Sequence, residues 1–263
     1  MYIRATAASL LAWSVLALAE PSAAQTAPFQ AVESAKRWRV EIGGGVVHGF
    51  SATGDADKDA NFIPWGSASY KDIVYANGLD GLGWNIISSD RLRAGVQLRP
   101  RFSAGDIEGY DLDRPGLGAD ATVYAFRRLP GNIVAGGRVQ YDATNDDAGL
   151  EYYASVAQQS VTRVGLLNTT VYVRGGDGDR NERYYGVPAS AAASGLTPYE
   201  AGGGLAGAGA AVFLAVPVGE RFGVGAFVNY ERALGDVADS PLMDKADTWR
   251  AGLIGVARFG SRD

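Results

Sequence analysis

The side chains with most chemical content are arginines that recur at every second position. Between Arg91 and Phe102 the odd positions carry Arg91, Arg93, Arg99 and Arg101, with Gly95 and Gln97 among them; the even positions carry Leu92, Ala94, Val96, Leu98 and Phe102. A β-strand sends successive side chains to opposite faces, so one face of this segment is apolar and the other holds four guanidinium groups. Arg39, Arg138, Arg250 and Arg258 occupy the polar face of similar segments, and Glu41, Asp142, Glu151 and Glu231 are the carboxylates available to them. Two outcomes are open on the enclosed side of a sheet. The charges pair and fill the space, because an unpaired charge in a narrow interior is costly, or they line a passage that favours anions.

Other reactive types are scarce. His48 is the only histidine and cysteine is absent. A Ser–His pair needs the imidazole beside a serine and an orienting group. Nothing around His48 supplies that context, so no catalytic residue, and no enzyme, is expected. A lone histidine without thiolates makes no transition-metal set. Asp55, Asp57 and Asp59 alternate as in a calcium loop, but Ala60 stands where glycine is required and Gly66 where a bidentate glutamate belongs. These carboxylates read as solvated loop groups, as do Asp177, Asp179, Asp236, Asp239 and Asp244. No metal or cofactor is expected. The net charge of −5, with Lys36, Lys58, Lys71 and Lys245 the only lysines, argues against nucleic-acid binding.

The elements that must carry the arginines follow from the same period of two. Trp38, Val40, Ile42 and Val46 alternate with Arg39 and Glu41; Ile133, Ala135, Val139 and Tyr141 with Arg138, Gln140 and Asp142. Phe222, Val224, Ala226, Val228 and Tyr230 alternate with Arg221, Asn229 and Glu231. In the last such run Ile254 and Val256 interrupt the polar face. Runs of about ten residues cross a bilayer when tilted, and aromatics near their ends (Trp38, Tyr141, Phe222, Tyr230, Trp249, Phe259) resemble interfacial girdles. Short turns near 88–90, 129–131, 158–160 and 218–220 alternate with long polar connections, as expected of an outer-membrane barrel. The reading is an all-β transmembrane up-and-down antiparallel barrel of twelve strands, near 37–50, 60–68, 71–77, 80–88, 91–103, 116–127, 131–142, 149–159, 162–174, 205–217, 220–232 and 247–259. Ten strands is the alternative count, since Pro64 disturbs the second segment and the third is short. A soluble β-sandwich also alternates, but the small apolar residues and the arginine-rich polar face fit a lipid wall and a lumen better.

The N-terminus explains export. Arg4, the apolar stretch Ala5–Ala19 and the small residues Ser22-Ala23-Ala24 form the three parts of a secretory signal, with the mature chain expected from Gln25. The expected organisation is a signal peptide over 1–24, a periplasmic segment over 25–36, a barrel over 37–259 with a long loop at 175–204, and a tail over 260–263.

Two loops carry more specific patterns. Tyr184-Tyr185-Gly186-Val187, Ala192-Ala193-Ser194-Gly195-Leu196-Thr197-Pro198-Tyr199 and Ala201 to Leu205 form one stretch. Leu234-Gly235-Asp236-Val237-Ala238-Asp239-Ser240-Pro241-Leu242 forms another, and Gly81-Leu82-Gly83-Trp84 a weaker third. Together they resemble the MltA-interacting protein (MipA/OmpV) family of outer-membrane proteins. The resemblance implies an outer-membrane location in contact with lipid and lipopolysaccharide. It also implies a scaffold joining a lytic transglycosylase to a peptidoglycan synthase; a porin-like channel for small, anionic solutes is the alternative. Tyr184, Tyr185, Gly186, Ser194, Gly195, Tyr199, Asp236, Asp239 and Pro241 are the candidate partner-binding positions. Alternatively, the three tyrosines pack the loop onto the rim.

Overall fold

A computed structural model describes residues 38–49, 60–71, 73–78, 80–101, 112, 114–144 and 149–260. The expected signal peptide, the periplasmic segment, the final residues of the tail and the Asp55–Asp59 carboxylates lie outside them.

Twelve antiparallel strands follow one another around a closed barrel, β1 pairing with both β2 and β12. They are β1 (Trp38–His48), β2 (Asn61–Tyr70), β3 (Val74–Asn77), β4 (Gly81–Ser88), β5 (Leu92–Arg101), β6 (Gly118–Leu129), β7 (Ile133–Asp142), β8 (Leu150–Val161), β9 (Leu166–Gly176), β10 (Gly204–Val218), β11 (Phe222–Ala233) and β12 (Asp247–Gly260). Among the described residues two α-helices sit in the long connections, α1 (Gly178–Tyr185) and α2 (Gly235–Asp239). The count is twelve, not ten, and the closed sheet replaces the sandwich reading.

Alternation decides which way each strand faces. Ile42, Val96, Leu98, Val139, Val156 and Leu253 are exposed on the outside. Glu41, Arg99, Arg138, Ser155 and Arg250, which alternate with such residues, are buried inside. An apolar exterior that runs right around the molecule exceeds what a water-facing surface tolerates. It suits lipid, while closure leaves every fully paired strand without a bare edge. Trp38 lies opposite Tyr70 at one rim, and Tyr230 stacks on Trp249 at the other with ring centroids 4.7 Å apart.

Several boundaries differ from the sequence reading. β5 begins at Leu92, so Arg91 falls in the exposed turn before it. The turn expected at 158–160 lies at 162–165 instead, because Thr162 closes it: its N–H donates to the Gly165 carbonyl (2.8 Å) and its Oγ1 accepts from the Gly165 N–H (3.1 Å). The turn after β6 is tight, with Gly131 at φ 78° and Asn132 at φ 57°. Glycine and asparagine are the residues that tolerate that left-handed backbone. β3 holds four residues where seven were expected.

The interior is not uniformly polar. Val47, Trp65, Ala215, Phe227, Ile254 and Val256 form a buried cluster inside the β1–β2 and β10–β12 sector, with Ile63, Leu166 and Phe213 packed against it. Ile254 and Val256, which break the polar face in sequence, supply this cluster. Charge concentrates on the opposite sector, β5 to β9.

Candidate functional site

The polar sector is a continuous network. Arg101 on β5 reaches Asp142 on β7 at 3.0 Å and Asp120 on β6 at 3.7 Å. Arg99 pairs with Asp80 at 3.4 Å and donates to Gln140 at 3.3 Å. Gln140 also accepts from Arg138 (2.9 Å) and donates to Asp120 (3.0 Å). On the next wall Arg174 meets Glu231 at 2.7 Å, and the Tyr172 hydroxyl donates to the same carboxylate at 2.8 Å. Near the opposite rim Arg258 meets Glu41 at 3.1 Å, and Ser67 donates to the other oxygen at 3.4 Å. Residues two strands apart thus meet through their side chains, which requires the inward faces to converge.

Burial separates a lined passage from a filled one. Side chains lining a water-filled pore stay accessible. Here Asp142 and Asn229 are 1% exposed, and Arg99, Arg138, Glu231 and Arg250 are 3% exposed. The inward charges are therefore packed against one another. Pairing within the network offsets part of the penalty that removal from water imposes on these groups.

Above the network lies α1. Asp177 caps it, accepting from the Arg180 N–H at 2.9 Å, and also accepts from the Leu150 N–H at 2.8 Å. The carboxylate thus fixes the helix start against β8. From the first turn Arg180 points down and donates to Glu151 at 2.8 Å, with Asp120 at 3.9 Å. Its guanidinium lies 4.3 Å from the Tyr184 ring centroid. Burial opposes the Arg180 charge, but Glu151, then Tyr184 and Asp120, outweigh it and raise its pKa. Burial pushes the Tyr184 phenol up to about 12, despite the opposing pull of Arg180 and Arg101.

The two patterned loops hold each other over this helix. Tyr199 donates to the Asp236 carbonyl at 2.7 Å, and Asp236 accepts from the Gly202 N–H at 2.9 Å. Ser240 donates to the Tyr185 carbonyl at 2.6 Å. Val187 and Tyr199 exchange backbone bonds of 2.8 and 2.9 Å. Beneath them Tyr185, Ala201, Ala206, Ala233 and Val237 are buried together. The result is a lid over the long-loop end of the barrel.

The sequence candidates divide accordingly. Glu41, Arg93, Arg99, Arg101, Arg138, Glu231 and Arg250 are buried inside; Arg39, half-buried, shares their face with Glu41. Arg91 is on the rim. Tyr185 is buried in the lid and Tyr184 is half-buried. Gly186 ends α1 with a 2.8 Å bond to the Glu182 carbonyl, and Ser194 closes the short 3-10 segment Ala189–Ser194. Tyr199 is half-buried, while Gly195, Asp236, Asp239 and Pro241 are exposed on the lid. His48 is exposed at the end of β1. Sequence reasoning missed Asp80, Asp120, Tyr172, Arg174 and Arg180. Asp120 carried a signal, since Asp120, Thr122, Tyr124 and Phe126 alternate with Ala119, Ala121, Val123 and Ala125. Arg180 carried none, because its partners are set by the loop.

An even-stranded closed barrel with an apolar exterior, aromatic rims and long loops at one end is a barrel of the bacterial outer membrane. The profile of the family described as MltA-interacting protein MipA matches residues 42–259, and the chain belongs to that family. No curated protein matches it. Among solved structures it is similar to a bacterial polysaccharide outer membrane secretin, at 9% identity and TM-score 0.41 over 86% of this chain and 99% of that one. It is also similar to an outer membrane channel from Pseudomonas putida F1, at 12% identity and TM-score 0.41 over 87% and 97%.

Proposed function

We propose that this protein is a scaffold of the outer membrane that engages peptidoglycan-remodelling enzymes, delivered by a cleaved signal peptide, and that it conducts no solute. The observation that carries this reading is the burial of the inward charges, from Glu41 at 0% to Arg93 and Arg258 at 7% exposure, under a bonded lid. Arg99, Arg101, Arg138 and Arg258, among the arginines that suggested an anion passage, meet carboxylates instead, which supports this reading over a channel. Family membership supports a partner among murein enzymes, the family's description being that of a protein that interacts with a transglycosylase.

The short turns need a means of docking, and their charge offers one. Lys71, Arg91, Arg163 and Arg221 are exposed in the turns between strands, and Arg127 is exposed near the end of β6, against Asp90 and Glu220. The exposed lid opposite carries Asp179, Asp236, Asp239 and Asp244. A basic periplasmic rim suits an acidic enzyme surface and steers its approach. The test is a photo-crosslinking residue at Val164, exposed in the 162–165 turn, used in growing cells. Capture of a transglycosylase or a synthase is expected, and its loss when Lys71, Arg91, Arg163 and Arg221 are changed to Gln. Capture of no envelope enzyme contradicts the scaffold.

A further inference from the structure

The barrel wall is incomplete on one side. β2 pairs with β1 along residues 61–70, but with β3 only from Ser67 to Tyr70. Among the described residues, Asn61–Gly66 therefore have no strand on their β3 side. Likewise β4 reaches β5 only up to Leu98, while β5 continues to Arg101 along β6. Among the described residues no strand occupies the two positions above β3 and β4, each about 4.8 Å wide, on the side of the long loops.

The residues that border this gap are suited to it. The Gly78 N–H donates to the Gly66 carbonyl, so the even residues of β2 turn their backbone polar groups toward the gap. On β5, the Ser89 N–H donates to the Leu92 carbonyl, so its even residues turn theirs toward β4. Pro64 and Pro100 are both even. Each is a proline whose missing N–H would have pointed into the gap, and each leaves only a carbonyl there. The edge at Pro64, which reads in sequence as a disturbed strand, is thus a finished one. Proline on a free edge also blocks an added strand, which argues against a peptide or a second barrel as occupant.

Apolar side chains flank the gap on its lipid side: Leu82 is 63% exposed and Leu98 48%. At its floor there is room, since a Cβ on Gly66 or Gly78 would meet nothing within 4 Å. The Pro64 and Pro100 carbonyls face this gap, and a backbone carbonyl at bilayer depth calls for a donor.

We propose that the β2–β5 gap is a lateral binding slot for a glycolipid of the outer leaflet, its acyl chain lying against Leu82 and Leu98 and its headgroup hydroxyls donating to the Pro64 and Pro100 carbonyls. This rests on the membrane-barrel fold and is independent of the scaffold reading. The test uses the full-length barrel in phosphatidylcholine vesicles, with a diazirine on the acyl chain of either a hydroxyl-rich glycolipid or phosphatidylcholine. Mapped adducts of the glycolipid should concentrate on 61–66 and 98–100 several-fold over Val139 and Val156 on the intact wall, whereas the phosphatidylcholine probe labels all sites alike. Gly78→Trp should abolish the enrichment while the barrel still folds by heat-modifiable migration. Uniform glycolipid labelling overturns the slot even if the tryptophan variant fails to fold, and equal enrichment of both probes overturns the glycolipid assignment. A Pro64→Cys chain carrying a thiol-attached photocrosslinker that joins it to a second copy, or to its own residues 102–111, also overturns it.

Discussion

Arg180 on α1 donates to Glu151 on β8 at 2.8 Å, and this contact joins the lid to the wall of the barrel. Beyond it Glu151 has more distant cations, Arg138 at 3.9 Å and then Arg174. Arg180→Ala therefore strands a buried carboxylate, which destabilises by about 3–5 kcal/mol. Urea titration of folding in detergent micelles should show the midpoint fall. The double variant Arg180→Met with Glu151→Leu should recover most of the loss, because no charge is left unpaired.

The Glu231 cluster behaves differently from a surface pair. Glu231 accepts from Arg174 at 2.9 Å and from Tyr172 at 2.8 Å, within the wall. Glu231→Ala leaves Arg174 buried without its carboxylate and should lower stability by roughly 3 kcal/mol. Arg232→Ala, beside it but exposed and 3.6 Å from an exposed Asp247, should change stability by less than about 1 kcal/mol. Paired urea midpoints read both.

Two glycines of the β1–β12 seam should respond oppositely to an added methyl. A Cβ at Gly43 would sit 2.0 Å from the Gly255 carbonyl oxygen, whereas one at Gly255 meets nothing within 4 Å. Gly43→Ala should destabilise by about 1–3 kcal/mol through overpacking, and Gly255→Ala should fall within about 0.5 kcal/mol of the parent. Heat-modifiable migration over a temperature series distinguishes them.

The strands were legible because their inward and outward faces differ in chemistry. β5 announces itself through Arg93, Arg99 and Arg101 against Ala94, Val96 and Leu98. Period two fixes a face but not an end, which is why Arg91 carried the right parity and still fell on the turn. Nor does it fix a partner. Arg101 finds Asp142 two strands away because the barrel curves them together, and no local spacing encodes that. The lid was legible as a patterned loop but not as a lid. Its geometry depends on Asp236 and Ser240 reaching back from a loop more than thirty residues further along the chain, to Gly202 and Tyr185. Pro64 read as a fault because the free edge that accommodates it is created by the shortness of β3.

Alkali should loosen the lid before it unfolds the barrel. The Tyr184 phenol is raised to about 12, by burial first, so the folded state favours its neutral form. The stabilisation is complete below about 10, the ordinary phenol value, and is lost as pH rises from there through 12. Phenolate absorbance should show a group titrating near 12 that disappears in Tyr184→Phe. Protease cleavage within 186–203 should accelerate over the same interval.

A barrel filled by its own paired side chains passes no ions, and planar-bilayer recording of the purified full-length protein asks that directly. The account predicts a silent membrane for the parent and steps only when the lid and network are cut, as in Arg180→Ala combined with Arg101→Ala. Stable unitary conductance from the unaltered protein, with anions preferred, would contradict it.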